Sequence, residues 1–551
     1  MVCGGSLAPA VFTMQEACRF FVEFIAPNRL RSVCMILKTR RARFALIPAL
    51  ALALLLGVWS LFPAGAIART AATAQPLSIQ PYIDRVMDRV TEFTLNNGMK
   101  FIVLERHQAP VVSFMTYVNV GAAYEAEGKT GAAHFLEHLA FKGTTRLGTS
   151  DYAAERPLLA RLDRLFDRIQ AARAAGQTGR AAELQAEFDR VRSQAAQYVR
   201  QNEYGQVVER AGGVGLNATT SADATRYFYS FPANKLELWM SLESDRFLDP
   251  VFREFYEEKD VILEERRMRT DNSPIGKMVE VFLETSFPGH PYGRPIIGYE
   301  EDIRNLTRRD IQDFFDTYYT PDHITVGIVG DVDPAEVKRL AEIYFERFRT
   351  RSRAPEVVAP APTQTEPREV VLRQKTEPWY LVGYQRPESS DPDNATYQII
   401  GSVLTGGRTS RLYKALVETG ISLSTDVANG FPGDRYSNMM LFFAQTAPGH
   451  TIEEIAAILN AELDRLKTEP VAPEELDRVK TQARAGMLQL LASNRGMASL
   501  LPEYEAKTGN WRNLFEDLKA FESVTAEDVQ RVAQSLFVPE KLTIGKLLPE
   551  E

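Results

Sequence analysis

The chain has 551 residues, 45% of them hydrophobic and 25% charged, with a formal net charge of −8. That composition is globular and excludes a collagen, a disordered chain or a multi-spanning membrane protein. The acidic balance supplies no basic patch, so no nucleic-acid partner is expected.

All three cysteines, Cys3, Cys18 and Cys34, precede Met35. Met35 is a second candidate start, which would leave residues 1–34 as a start-site artefact. Lys38, Arg40, Arg41 and Arg43 then form a positive n-region before an apolar run over residues 44–62. Small residues follow, with A-x-A sites at Ala66–Ala68 and Ala72–Ala74. This is the layout of a cleaved secretory signal, so residues 1–74 are read as a signal region and the protein as exported and periplasmic. Left uncleaved, the run is long enough to serve as an N-terminal membrane anchor. The remaining chain has no cysteine, and its stability must come from its core rather than from disulfides.

Strand-like runs open the mature chain, "KFIVLE" from Lys100 and "VVSFMTYVNVG" from Val111. Next comes "TGAAHFLEHLAFKGT", Thr130 to Thr144, which uses two of only 6 histidines four positions apart. Thr130-Gly131 predicts a helix start and Lys142-Gly143 a stop. On one helix His134 and His138 stand one above the other, with Glu137 on nearly the same stripe. Two such imidazoles can share one Zn²⁺ at about 2.0–2.1 Å each, with a third ligand from elsewhere and a position kept for water. Glu137 would serve as general base for a water that the metal activates.

Residues 155–203 keep helical spacing in two runs, Leu158, Leu162, Leu165 and Ile169, then Leu184, Phe188, Val191 and Ala195, with "GQTG" at 176–179 as the turn. They are read as an inserted helical hairpin, either a lid or docking arm or a solvated decoration. Further on, "FREFYEEKDVILEERRMRTD" from Phe252 supplies acids for the third ligand. Glu258 and Glu265, seven apart, fall on one helical face, with "VIL" between them as the buried side. Spacing alone does not choose among Glu257, Glu258, Glu264 and Glu265.

Two segments match at a constant offset of 218: "LTRRDIQDFFDTYYTPDHITVGIVG" from Leu306 and "VTAEDVQRVAQSLFVPEKLTIGKLL" from Val524. Thr307 pairs with Thr525, Asp310 with Asp528, Pro321 with Pro539 and Gly327 with Gly545. Each copy reads as a Thr-capped amphipathic helix, a proline break and a β-branched strand. The fold class is therefore α+β: two homologous α/β repeats, each a mixed β-sheet with helices packed on it, with the hairpin inserted in the first. The domains expected are residues 75–350, a Pro-rich linker at 351–366, and a second repeat at 367–551.

These motifs resemble the pitrilysin/insulinase family of zinc metallopeptidases, which includes the mitochondrial processing peptidase and its bacterial relatives. The resemblance rests on the inverted HxxEH of His134 to His138 and the downstream EKDVILEE. It extends to "GGVGLNATTSADATRYFYS" from Gly212, "HPYGRPIIGYEEDI" from His290 and "YYTPDHITVGIVGDVDP" from Tyr318. It implies that His134 and His138 bind one zinc per chain with Glu265 as the distal ligand, that Glu137 is the base, and that Glu258 is a second acid supporting the site. Asn217 and Ala218 match an edge strand that pairs with an extended peptide, a mode giving broad sequence tolerance.

The gap from His138 to Glu265 is 127 residues, longer than the family pattern, and the inserted hairpin accounts for the surplus. An arginine–tyrosine pair that helps hold substrate in the family is missing from "LVETGISLST", Leu416 to Thr425. The second repeat carries no HxxEH around Tyr397 to Tyr413, so it forms a chamber wall. Since the family encloses its chamber with four such units, the resemblance implies a heterodimer with a zinc-less homologous subunit, or a homodimer. The activity implied is hydrolysis of extended peptides or unfolded polypeptides. The alternative is a non-catalytic chamber subunit or peptide-binding scaffold of the same fold.

Overall fold

A computed structural model describes residues 80–350, 355, 357, 359–360 and 363–550. The signal region at 1–74 and half of the expected linker at 351–366 lie outside the described residues. In chain order the first part contains α1 (Gln80–Met87), β1 (Val90–Thr94), β2 (Lys100–Glu105), β3 (Val111–Val118) and α2 (Ala132–Leu139). The hairpin α3 (Tyr152–Ala174) and α4 (Thr178–Ala196) follows, then α5 (Glu203–Arg210), β4 (Val214–Thr220) and β5 (Thr225–Pro232). Helices α6 (Leu236–Leu248), α7 (Phe255–Arg266), α8 (Pro274–Ser286), α9 (Glu300–Asn305) and α10 (Arg308–Tyr318) lead to β6 (Ile324–Gly330) and α11 (Pro334–Phe345).

The second part runs β7 (Arg368–Gln374), β8 (Trp379–Arg386), α12 (Asn394–Thr405), β9 (Ser422–Phe431) and β10 (Asn438–Thr446). It closes with α13 (Ile452–Thr468), α14 (Pro473–Ala492), α15 (Asn494–Thr508), α16 (Asn513–Ser523), α17 (Ala526–Leu536) and β11 (Leu542–Pro549).

The two sheets have orders β1-β2-β6-β3-β5-β4 and β7-β11-β8-β10-β9. Apart from β1 the two orders correspond strand for strand. In each, the strand that closes the repeat inserts between the first two of the common set, parallel to one and antiparallel to the other. The 218-residue offset holds at element level, pairing α10 with α17 and β6 with β11. Both helices begin with a reciprocal capping box, Thr307 with Asp310 and Thr525 with Asp528, which satisfies two otherwise orphaned backbone donors at each start.

The repeats exchange a helix. The first sheet presents Ile102, Leu104, Met115, Phe228 and Val329 to a second-repeat cluster that includes Met497, Leu501 and Trp511. Reciprocally, α8 lies on the second sheet, where its Arg368 and Gln385 hold the α8 carbonyl of Ser286. Gly327 and Gly545 mark the two crossings. A Cβ at Gly327 would stand 2.4 Å from the Ala498 carbonyl oxygen of α15, and one at Gly545 would stand 2.6 Å from Met278 Cε of α8. An ion pair reinforces the first crossing: Glu503 of α15 meets Arg226 of β5 at 3.2 Å, and Lys507 of the same helix also reaches Glu503 at 2.6 Å.

The structure differs from the sequence reading at two boundaries and in the burial of one run. The histidine helix ends at Leu139, and Gly143 takes its left-handed conformation in the turn beyond. Between α3 and α4 the turn spans 175–177, where Gly176 supplies the positive φ, and Gly179 is already helical. Within the VIL run Ile262 is buried, whereas Val261 is 49% exposed.

Candidate metal centre

Helix α2 is a short amphipathic segment whose Ala133, Phe135, Leu136 and Leu139 are buried. Its N-terminus is held by the buried Glu125, which accepts from the backbone N–H groups of Gly131 and Ala133, both at 2.9 Å. Its carboxyl group satisfies two orphan donors at this end, and burial, only partly opposed by those hydrogen bonds, pushes it up to about 8. Helix α7 packs beside α2, with Phe135 and Phe255 stacked at 4.6 Å between ring centroids. This packing turns Glu258 and Glu265 toward the histidines.

His134, His138 and Glu265 converge, with one donor atom from each lying within 4.8 Å of the others. Glu265 Oε2 stands 3.9 Å from His134 Nε2 and 3.5 Å from His138 Nε2. Ligands held at 2.0–2.1 Å in a tetrahedron are about 3.4 Å apart, so small adjustments of this donor set accommodate Zn²⁺. His134 is the sharper indication. Its Nδ1 is buried with no hydrogen-bond partner, and its Nε2 faces the carboxylate beyond hydrogen-bonding distance. With Nε2 aimed at a carboxylate that it does not hydrogen-bond, this imidazole has that nitrogen free to ligate a metal alongside His138 and Glu265.

The neighbours tune these groups. Burial first, then the neighbouring His138, pulls His134 down to about 4, favouring the neutral ring that a metal requires. Burial opposes charge on His138 as well, but the carboxylates of Glu258 and Glu265 outweigh it and push that ring up to about 9. His138 and His134, with Arg269, overcome burial at Glu265 and hold it down at about 2. Arg269 Nη1 meets Glu265 Oε1 at 2.6 Å. His138 Nδ1 contacts Glu258 Oε2 at 3.1 Å, a carboxylate–histidine arrangement that fixes the ring and its tautomer. Glu258 in turn meets Lys142 Nζ at 2.5 Å.

Glu137 points to the opposite wall. Burial raises its carboxyl pKa, and Thr220 Oγ1 donates to its Oε2 at 2.6 Å. Thr220 ends β4, the edge strand of the first sheet, whose only partner among the described strands is β5. On that strand Asn217 is exposed and Ala218 buried. The structure therefore brings His134, Glu137, His138, Glu258 and Glu265 into one cluster and sets Asn217 and Ala218 on the bordering edge. Glu257 and Glu264, the other acids left open by spacing, lie off the cluster: Glu257 faces Arg192 and Glu264 pairs with Arg267.

Sequence reasoning missed Thr220, Arg269, Lys142 and Glu125. Lys142 was accessible, being four residues after His138, and so was Arg269, four after Glu265. Thr220 and Glu125 reach the site through the tertiary fold and gave no local signal. In the second repeat α12 occupies the place of α2, between the corresponding strands, and "NATYQIIGSVLT" carries no histidine or acid.

Two family models match the chain. Insulinase (Peptidase family M16) matches residues 100–156 and 189–300, and the Peptidase M16 inactive domain matches 305–483. The break in the first match falls in the inserted hairpin. The chain is 28% identical over 466 residues to the zinc protease PqqE of Helicobacter pylori, covering 83% of this chain and 92% of that one. An uncharacterized zinc protease of Mycobacterium leprae is 26% identical over 453 residues, covering 81% and 89%. The crystal structure of a protease from Helicobacter pylori superimposes with a TM-score of 0.71 at 27% identity, covering 84% of this chain and 99% of the other. A peptidase M16 inactive domain from Pseudomonas fluorescens shares the fold at 15% identity, with a TM-score of 0.67 and coverage of 84% and 98%.

Proposed function

The chain belongs to the insulinase family of peptidases, peptidase family M16, and on that premise we propose that it is a zinc-dependent endopeptidase of extended peptides. One observation carries this reading: two imidazoles and a carboxylate converge beside a half-buried glutamate, and that glutamate is bonded to the edge strand of the first sheet. His134, His138 and Glu265 would hold the ion. When bound, zinc supplies Lewis-acid polarisation and a more acidic water.

The chain's own groups do the rest. The edge at Asn217 and Ala218 adds the peptide as a further strand through main-chain hydrogen bonds, so recognition depends little on side chains. Thr220 engages Glu137 Oε2, and the base acts through Oε1, taking the proton of the attacking water and returning it to the leaving amine. The raised pKa of Glu137 suits a group that must hold that proton between the two transfers. Glu258 keeps His138 in one tautomer.

The second repeat is a chamber wall. The stretch Leu416 to Thr425 lacks an arginine–tyrosine pair, which favours a second subunit, a zinc-less homologue or another copy, to complete the chamber. The same lack is what supports the other reading, a non-catalytic peptide-binding subunit. The sequence before Gln80 favours export to the periplasm.

The experiment compares the purified protein with Glu137→Gln for zinc content and for cleavage of a quenched fluorescent peptide. Zinc in both, with cleavage lowered by roughly 10²–10⁴ in Glu137→Gln, is expected for loss of a general base. Zinc in both with no cleavage in either points to a missing second subunit, and cleavage still absent after a homologous subunit is added favours the peptide-binding reading. Absence of zinc from both refutes the metallopeptidase.

A further inference from the structure

The base of the inserted hairpin is linked to the metal centre by an unbroken run of side chains. Gln201, between α4 and α5, places Nε2 2.5 Å from Glu254 Oε1. Glu254 Oε2 lies 3.2 Å from Lys142 Nζ, and the same ammonium lies 2.5 Å from Glu258 Oε1. Glu258 Oε2 then meets His138 Nδ1 at 3.1 Å. Glu254, immediately before α7, has a φ of 54°. A non-glycine residue keeps that left-handed conformation where its surroundings over-determine it, and here Gln201 and Lys142 hold its carboxylate from two sides.

A second link is buried. Arg253 and Glu155 of α3 pair at 3.0 Å, both with 0% side-chain exposure. The guanidinium also donates to the carbonyl oxygens of Lys142 at 2.5 Å, Thr144 at 2.6 Å and Leu147 at 2.9 Å, which form the turn leaving α2. The hairpin thus supplies the counter-charge for the cation that ties down this turn. A buried cation without that carboxylate would be uncompensated. The N-terminal turn of α7 is gripped as well, with Tyr256 packed against Phe166 and Phe188 of the hairpin and its hydroxyl donating to Asp163.

We propose that the hairpin is a brace for the metal centre and that Lys142 and Glu254 are positioning residues, acting through Glu258 on His138. The proposal rests on the reading of His134, His138 and Glu265 as zinc ligands. Lys142 anchors one oxygen of Glu258, which aims the other at Nδ1 and leaves Nε2 for the metal. Without the ammonium the carboxylate can rotate away. A hairpin that merely decorated the surface would make no difference to metal affinity.

The test measures zinc affinity of the full chain by competition with a chromophoric chelator, beside the Tm of the metal-free protein. The variants are Lys142→Met, Lys142→Arg, Glu254→Gln and Gln201→Ala. Loss of a partner outside the ligand set costs about 10–100-fold in metal affinity, and that is the loss expected for Lys142→Met. Lys142→Arg recovers most of it, Glu254→Gln and Gln201→Ala show smaller losses in that order, and Tm stays within a few degrees throughout. Lys142→Met binding zinc as tightly as the unsubstituted chain overturns the brace and leaves the metallopeptidase reading standing. Affinity that falls only in step with Tm does the same. An unsubstituted chain that binds no zinc overturns both.

Discussion

Gly327 and Gly545 occupy equivalent places in the two repeats, yet adding a methyl group should have unequal effects. In Gly327→Ala the new Cβ would lie 2.4 Å from the Ala498 carbonyl oxygen and 2.9 Å from Pro502 Cδ. Both obstacles are rigid, a helix backbone and a ring built into it, so α15 as a whole must retreat from β6. In Gly545→Ala the contacts are Met278 Cε at 2.6 Å and Phe282 Cδ2 at 2.9 Å. The nearer of these is the end of a flexible side chain that can swing aside. Overpacking costs about 1–3 kcal/mol, and Gly327→Ala should lie at the upper end and Gly545→Ala at the lower. The alanine also restricts the unfolded chain, which offsets about 0.4–1 kcal/mol in each, leaving about 2 kcal/mol for Gly327→Ala and near zero for Gly545→Ala. At roughly 2–4 °C per kcal/mol for a unit of this size, the metal-free Tm should fall by about 4–8 °C in the first variant and by less than about 2 °C in the second. Calorimetry at one protein concentration measures both. Equal shifts, or a larger shift for Gly545→Ala, would refute the account of the exchanged helices.

Thr220→Val removes the hydroxyl that holds Glu137 while keeping its volume. A hydrogen bond to a charged group contributes about 1.5–3 kcal/mol, so kcat should fall about 10–100-fold with zinc content unchanged, and an unchanged kcat would show that Thr220 does not orient the base. The second prediction concerns acid. Burial alone would raise the Glu503 carboxyl, but Lys507 and Arg226 outweigh it and hold it near 2, below the ordinary 4.5. A depressed carboxyl stabilises the fold fully above the unfolded value and ceases to do so as pH falls through about 2. The plot of Tm against pH between 5 and 2 should therefore be shallower in Glu503→Gln than in the unsubstituted chain. Parallel curves would exclude this ion pair as an acid-labile tie between the repeats.

Much of the site could be read from the sequence because its chemistry is local. His134, Glu137 and His138 share one helical turn, and Glu258 and Glu265 share one face of another, so a spacing of four or seven residues already implies proximity. The repeat was legible for a related reason. A capping box, a proline break and a β-branched strand leave their marks within 25 residues, and two copies align without gaps. Where the reading was incomplete, the missing contact joins distant segments. Thr220 reaches Glu137 across 83 positions and Lys142 reaches Glu254 across 112; no periodicity records such pairs.

By itself the sequence singled out His134, Glu137 and His138, indicated two α/β units, and placed an HxxEH motif in the first and none in the second. Tertiary structure decided which of four acids faces the histidines, because that depends on how α7 rotates as it packs against α2. It also gave the repeated glycines their reason. Each lies where a helix from the other repeat crosses its sheet: at Gly327 the Ala498 carbonyl oxygen, and at Gly545 the Met278 and Phe282 side chains, fill the space a Cβ would need.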